Sequence, residues 1–180
     1  MRLRLLEQTR GQDHPDILRA RHRLAHAYRA ARRFAEAIAQ IEANVASWTR
    51  LAGADAAETL RSRSSLANCY YAAGRYDAAI PRFEEILQDR QRTLGPHHPD
   101  TRRSRGSLAN SFRAAGRYDA AINLHRETLP AREQVLGADN PSTQASRRNL
   151  AAARRDGAPT PVDGASKTLA GNLDIPAPPT

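Results

Sequence analysis

The stretch AAGRYDAAI stands at residues 72–80 and again, letter for letter, at residues 114–122, a start-to-start offset of 42. The same spacing extends outward in both directions. Gly11, Gly53, Gly95 and Gly137 follow it, as do the pairs Leu24-Ala25, Leu66-Ala67, Leu108-Ala109 and Leu150-Ala151. Residues 54–95 and 96–137 agree at 22 of 42 positions without a gap. Self-similarity at a fixed period of this size marks a stacked array, in which each unit buries its apolar face against its neighbours.

Each unit reads as two helices. ETLRSRSSLANCYYAAG sets Leu60, Leu66, Ala67, Tyr70 and Ala73 at helical spacing and stops at Gly74, a residue free to take the left-handed conformation that ends a helix. RYDAAIPRFEEILQDRQRTLG then sets Tyr76, Ala79, Ile80, Phe83, Leu87 and Leu94 on a stripe of threes and fours. Between units, Pro99 suits a first helical position and Asp100 the positive end of a helix dipole. Alanines 72, 73, 78 and 79 are small enough for the two helices to meet closely, which makes the repeated nine letters the corner of a helical hairpin. Pro130, in LHRETLPAREQ, interrupts the pattern and predicts a kink near Leu129.

Composition bounds the alternatives. Only 5% of the 180 residues are aromatic, too few for a large sheet core. The lone cysteine, Cys69, excludes an internal disulfide and fits a reducing, cytoplasmic setting. No run of about 18 apolar residues supports a membrane span. The formal charge is +9, and Lys167 is the only lysine; the bias toward arginine and alanine fits a GC-rich genome as readily as it fits phosphate binding.

The run L-A-x2-Y followed by G-R-Y-D-x-A-I resembles the tetratricopeptide repeat, and the junction L-G-x-x-H-P-D resembles its kinesin-light-chain type. By period alone a HEAT or armadillo array is the rival. The resemblance implies an all-α, right-handed α-solenoid of antiparallel helix-turn-helix hairpins. Its expected parts are the end of a truncated unit over 1–11, units over 12–53, 54–95 and 96–137, a capping helix over 138–156, and a disordered Pro/Gly/Ala-rich tail over 157–180. The first unit departs from the pattern: Arg32 stands at the corner glycine, and Phe34-Ala35-Glu36 replaces Tyr-Asp-Ala. Met1 aligns with Glu85 and Glu127, so the sequence starts part-way through a unit. This suggests either a start codon placed too late or the C-terminal piece of a larger bacterial signalling protein, in which such arrays often follow a nucleotide-binding switch domain.

The same resemblance places Arg19, Arg61 and Arg103 in a concave groove, together with His26, Asn68 and Asn110 and with Arg29, Tyr71 and Arg113. Asparagine there would clasp a peptide backbone and arginine its carboxylates. A second arginine series, Arg21, Arg63, Arg105 and Arg147, lies two residues further along and faces elsewhere. Pairing with acids such as Glu84, Glu85 or Glu127 is expected for it. The expected partner is another protein, or an acidic or extended peptide segment. Nucleic-acid binding by the same basic face, and a role as a positioning arm for an upstream NTPase or enzymatic domain, are the alternatives.

No catalytic centre, cofactor site or metal site is expected. His22 and His26 stand four apart, but Arg23 occupies the place of the glutamate in H-E-x-x-H and no third ligand is at hand. His97 and His98 read as ordinary loop residues. Cys69 aligns with Ser111 and reads as a small core side chain.

Overall fold

The computed structural model describes residues 11–158. The expectations for the first segment, Met1 to Arg10, and for the tail beyond residue 158 lie outside the described residues. Seven α-helices make up the described chain: α1 (Pro15–Ala30), α2 (Phe34–Ala52), α3 (Ala57–Ala72), α4 (Tyr76–Leu94), α5 (Pro99–Ala114), α6 (Tyr118–Leu136) and α7 (Pro141–Asp156). Each packs chiefly against its neighbours in the chain, α1 on α2 through α6 on α7, with a smaller contact between α5 and α7. Connections this short turn each helix back on the last, and the result is an all-α stack of hairpins.

The helix starts explain why the units keep one register. Pro15, Pro99 and Pro141 each occupy the first helical position, where a missing N–H costs nothing. The preceding residue caps the helix. His14 Nδ1 accepts from Asp16 N–H at 3.2 Å, His98 Nδ1 from Asp100 N–H at 3.1 Å, and Asn140 Oδ1 from Ser142 N–H at 2.9 Å. His98 is therefore not an ordinary loop residue: its ring takes up one of the orphan donors at the start of α5. His97 remains an exposed loop residue.

The corners are Schellman turns. Arg75 N–H reaches Tyr70 C=O at 2.9 Å and Gly74 N–H reaches Tyr71 C=O at 3.0 Å; Arg117 and Gly116 repeat the pair on Phe112 and Arg113. Gly74 and Gly116 hold φ of 73° and 74°, and in the first hairpin Arg32 takes the same left-handed conformation at φ 60°. The first hairpin thus keeps the corner without the glycine.

Past the corner the helices meet over alanine. Ala37, Ala79 and Ala121, and facing them Ala25, Ala67 and Ala109, are buried to within 1%. Around them Ile41, Phe83, Ile86, Leu108 and Phe112 fill a continuous core, and Ile17, Leu18 and Leu60 are buried as well. Leu94, expected on the apolar stripe, is 41% exposed at the last residue of α4. Cys69 is buried and reduced, and burial raises its thiol pKa, as a core role requires.

Two polar devices repeat along the stack. Arg50 pairs with Asp13 at 2.6 Å and Arg92 with Asp55 at 2.7 Å, 42 residues on. Deeper in the seam, Arg90 donates to Ser104 Oγ at 2.6 Å and Asp100 C=O at 3.3 Å, binding α4 to α5. Arg132 binds α6 to α7 through the equivalent atoms of Ser146 and Ser142. The helix α6 runs uninterrupted past Pro130 to Leu136 but buries only Ala121 and His125, whereas α4 buries six side chains.

Candidate functional site

Arg19, Arg61 and Arg103 each stand on the fifth residue of a hairpin's first helix, and all three are exposed. The stack places a cavity between each consecutive pair. The first, about 250 Å³, is lined by Leu18, Arg19, Trp48, Glu58 and Arg61. The second, about 290 Å³, is lined by Leu60, Arg61, Arg90, Asp100 and Arg103. Every one of these five positions in the second cavity lies 42 residues after its counterpart in the first. Arg61 belongs to both.

The charges around this row are partly compensated. Arg19 pairs with Asp16 at 2.5 Å and Arg103 with Asp100 at 2.9 Å, each one turn back on its own helix. Glu58 holds the same place before Arg61, yet Arg61 makes no ion pair among the described residues. Exposed pairs of this kind contribute little, about 0–1 kcal/mol, and so can be exchanged for a carboxylate from outside.

The other expected groove residues divide. His26, Arg29 and Asn68 line one further cavity of about 90 Å³ with His22 and Ser65. His22 also lines the first arginine cavity, so the two openings adjoin. The His22 ring lies within 3.2 Å of Ser65 Oγ, and desolvation, then the fields of His26 and Arg61, lower its pKa. Asn68 spends one donor on Ser64 C=O at 2.9 Å. Tyr71 packs on Tyr76, ring centres 5.6 Å apart, and against the core. Arg113 is tied to Asp156 at the end of α7, at 2.8 Å. Asn110 is half-buried and lines none of these cavities.

The second arginine series does face elsewhere. Arg63 bridges to Asp89 at 2.6 Å and Glu85 at 3.1 Å, and Arg147 pairs with Glu133 at 2.6 Å. Of the acids expected for this series, Glu85 is engaged. Arg21 is buried and donates to Gln12 C=O at 3.3 Å. Among the described residues no cluster of His, Cys, Asp or Glu could hold a metal ion, and no helix is long and apolar enough to cross a membrane.

Residues 16–88 and 58–134 match the tetratricopeptide repeat family, overlapping to cover most of the described chain. The chain belongs to the tetratricopeptide repeat family. Its stack is similar to two crystal structures, one of them a point variant, of a kinesin-light-chain-type protein from Podosopora anserina with nearly identical TPR-like repeats. They are 28% identical to this chain, with TM-scores of 0.76 and 0.75, and the alignments cover 86% of this chain and 73% of theirs. BtubC (BKLC) from P. vanneervenii shares the fold at 19% identity and a TM-score of 0.68, over 79% of this chain and 57% of its own. No curated protein matches.

Within these tetratricopeptide repeats, two parts of the site escaped sequence reasoning, although both follow the 42-residue period. The acids Asp16, Glu58 and Asp100 each precede a row arginine by three residues, one acid to each arginine, so the row itself carries far less net charge than the arginines alone suggest. The series Trp48, Arg90 and Arg132 sits at the base of each unit junction. In it an apolar ring in the first unit is replaced by a seam-binding guanidinium in the next two.

Proposed function

We propose that the chain is a protein-interaction scaffold that holds an acidic, extended segment of another protein along the Arg19–Arg61–Arg103 row. The observation that carries this reading is the pair of junction cavities 42 residues apart in register, which share the unpaired guanidinium of Arg61. A segment crossing the stack meets the same rim twice, a leucine with two arginines and an acid, while the base changes from the Trp48 ring to the Arg90 guanidinium. Arg61 takes a partner carboxylate directly, with fork geometry suited to two oxygens. Arg19 and Arg103 exchange Asp16 and Asp100 for partner carboxylates at small cost. His26, Arg29 and Asn68 extend the contact from the adjoining cavity, and Asn68 keeps a free carbonyl oxygen for a backbone N–H. Asn110 continues that line on the next unit, while Arg113 joins only when its pair with Asp156 opens.

The helices are formed before binding, so little ordering entropy opposes it. The surplus of arginine over acid speeds the encounter with an acidic partner. The chemistry asked of the site is recognition, not catalysis, in a cytoplasm that keeps Cys69 reduced. Tyr71, the aromatic expected in the groove, has its ring tilted against Tyr76, so a single, partly covered ring is a poor match for the series of stacking platforms that single-stranded nucleic acid uses.

The test is affinity capture from lysate of the source organism, with and without nuclease treatment, with wild type and Arg61→Glu/Arg103→Glu in parallel. Both side chains are exposed, so the double variant keeps the fold, which circular dichroism checks. A discrete protein retained by wild type and lost by the variant is expected. Equal capture by the variant would remove the row from the site, and material that disappears with nuclease would move the function to nucleic acid.

A further inference from the structure

The third hairpin carries a second basic cavity, away from the Arg19–Arg61–Arg103 row. It is small, about 20 Å³, and lies between α5 and α6, lined by Arg102, Arg105, His125, Thr128, Ala131 and Arg132. Its composition is best understood against the preceding unit. There the same positions are Leu60, Arg63, Phe83, Ile86, Asp89 and Arg90. Leu60, Phe83 and Ile86 are core residues no more than 2% exposed, and Asp89 neutralises Arg63 at 2.6 Å. In the third unit all three apolar side chains have become polar or charged. Two acids are gone as well: Asp89 has become Ala131, and Asp55 has become His97, which also lines the cavity.

Three arginines therefore line one cavity that has no carboxylate in its wall. Neither Arg102 nor Arg105 makes a side-chain hydrogen bond or ion pair among the described residues. Glu127, aligned with the Glu85 that helps hold Arg63, is exposed and makes no ion pair among the described residues. Arg132 is committed to the seam with α7, and burial, then the fields of Arg102 and Arg105, press against its charge. Behind them His125 is 4% exposed, and its Nε2 has no hydrogen-bond partner. A guanidinium cluster of this kind is out of balance until an anion joins it.

We propose that this cavity is an oxyanion site, taking a phosphate-type dianion on Arg102 and Arg105 with Arg132 behind them. The volume admits about one oxygen atom, so one oxygen seats in the cavity and the others meet the two unpaired guanidiniums at its mouth. Two unpaired charges match a dianion better than a single carboxylate, and arginine forks suit its oxygens. The phosphoryl group can be free in solution or carried on a partner's serine.

The experiment titrates the full chain with inorganic phosphate, and in parallel with a short phosphoserine peptide, at constant ionic strength held by chloride. The readouts are the Arg Nε–Hε resonances and the melting temperature. Saturable binding with a Kd of about 1 mM is expected, a strength a few charge-assisted bonds supply. Tighter binding of the peptide would assign the site to a modified partner, and tighter binding of the free ion to phosphate itself; either supports an oxyanion site. Arg102→Ala/Arg105→Ala should weaken binding at least ~10-fold.

Ala131→Asp provides the independent check, because it restores the acid of the preceding unit. It should raise the melting temperature and abolish phosphate binding by filling the site from within. The proposal is overturned if phosphate moves no signal beyond what chloride does, or if Ala131→Asp binds it as wild type does.

Discussion

Arg32 and Gly116 occupy the same corner in different hairpins, and they show what one backbone angle costs. Both hold φ near the left-handed minimum, 60° and 74°, where a side chain adds about 1–2 kcal/mol of strain. Nothing stands within 4 Å of a Cβ built on Gly116, so the conformation alone sets the penalty there. Arg32→Gly should stabilise the first hairpin by up to about 1 kcal/mol, the strain relieved less the entropy of a freer unfolded chain. Gly116→Val should destabilise the third by more, because a β-branched residue resists positive φ most strongly; urea melts of both variants would check the two signs. The corner was legible in the letters G-R-Y-D, since only a few residues tolerate that angle. That arginine tolerates it too was not, because Arg32, aligned with Gly74 and Gly116, read only as a departure from the pattern.

His125 is the residue-scale case that the sequence did not disclose. Its partner in the previous unit, Phe83, belongs to the core, and a substitution to histidine there ordinarily signals exposure. The ring is buried nonetheless, and burial, followed by Arg132 and Arg113, lowers its pKa from 6.5. Arg102, Arg105 and His97 share its cavity, and the two guanidiniums add positive charge on the same side. The folded chain therefore binds fewer protons here than the unfolded chain. The stability this site contributes is full above 6.5 and is lost as pH falls through that value toward the folded pKa. His125→Phe should flatten the fall in melting temperature between about pH 8 and about pH 5. It should also stabilise the fold by about 1 kcal/mol, by removing a buried ring nitrogen that has no partner. An unchanged slope would place the titration elsewhere, with His22, whose pKa desolvation also lowers, the remaining candidate of the same sign.

At the scale of the element, α6 is the weakest helix of the stack. It keeps the length of α4, 19 residues, but buries two side chains where α4 buries six. Pro130 adds to this: its missing N–H leaves the carbonyl of Arg126 without its helical partner. The aligned residue in α4 is Gln88. Pro130→Gln should restore the bond and stabilise the chain by up to about 3 kcal/mol. Amide protection should rise first around Arg126–Leu129, as hydrogen exchange would report. The existence of the helices was legible throughout, and so were most of their limits, because proline, the capping residue and the corner glycine recur with the period; Ala56-Ala57 at the start of α3 and Arg32 at the first corner carry none of these signals. The burial on α6 was not, because it depends on a cavity that three separate substitutions create together.

For the whole molecule, stability is a sum over neighbouring contacts, since each helix leans chiefly on the ones before and after it. Position in the stack should then matter as much as residue type. Leu108, 4% exposed, lies in α5, which packs on both α4 and α6, while Leu150, 8% exposed, lies in α7, the last described helix, which packs chiefly on α6. Leu108→Ala should cost about 2–5 kcal/mol, and Leu150→Ala measurably less, in matched thermal melts. The array and its period could be taken from the sequence because every unit solves the same packing problem. The row Arg19, Arg61 and Arg103 could be taken from it because the family pattern repeats. The cavities between those arginines could not, because they are made by pairs of units and depend on Trp48 and Arg90 from the second helices. Nor did the letters indicate that Arg113 would be tied to the end of α7.

The most direct measurement of the central claim follows the arginine Nε–Hε resonances while an extended, glutamate-rich peptide is titrated into the protein. The account predicts that Arg61 moves first and furthest, with Arg19 and Arg103 following as they leave Asp16 and Asp100, and that Arg63 stays still in its bridge to Asp89. Saturation with Arg61 and Arg103 unmoved would contradict it, and would take the binding surface off this face of the stack.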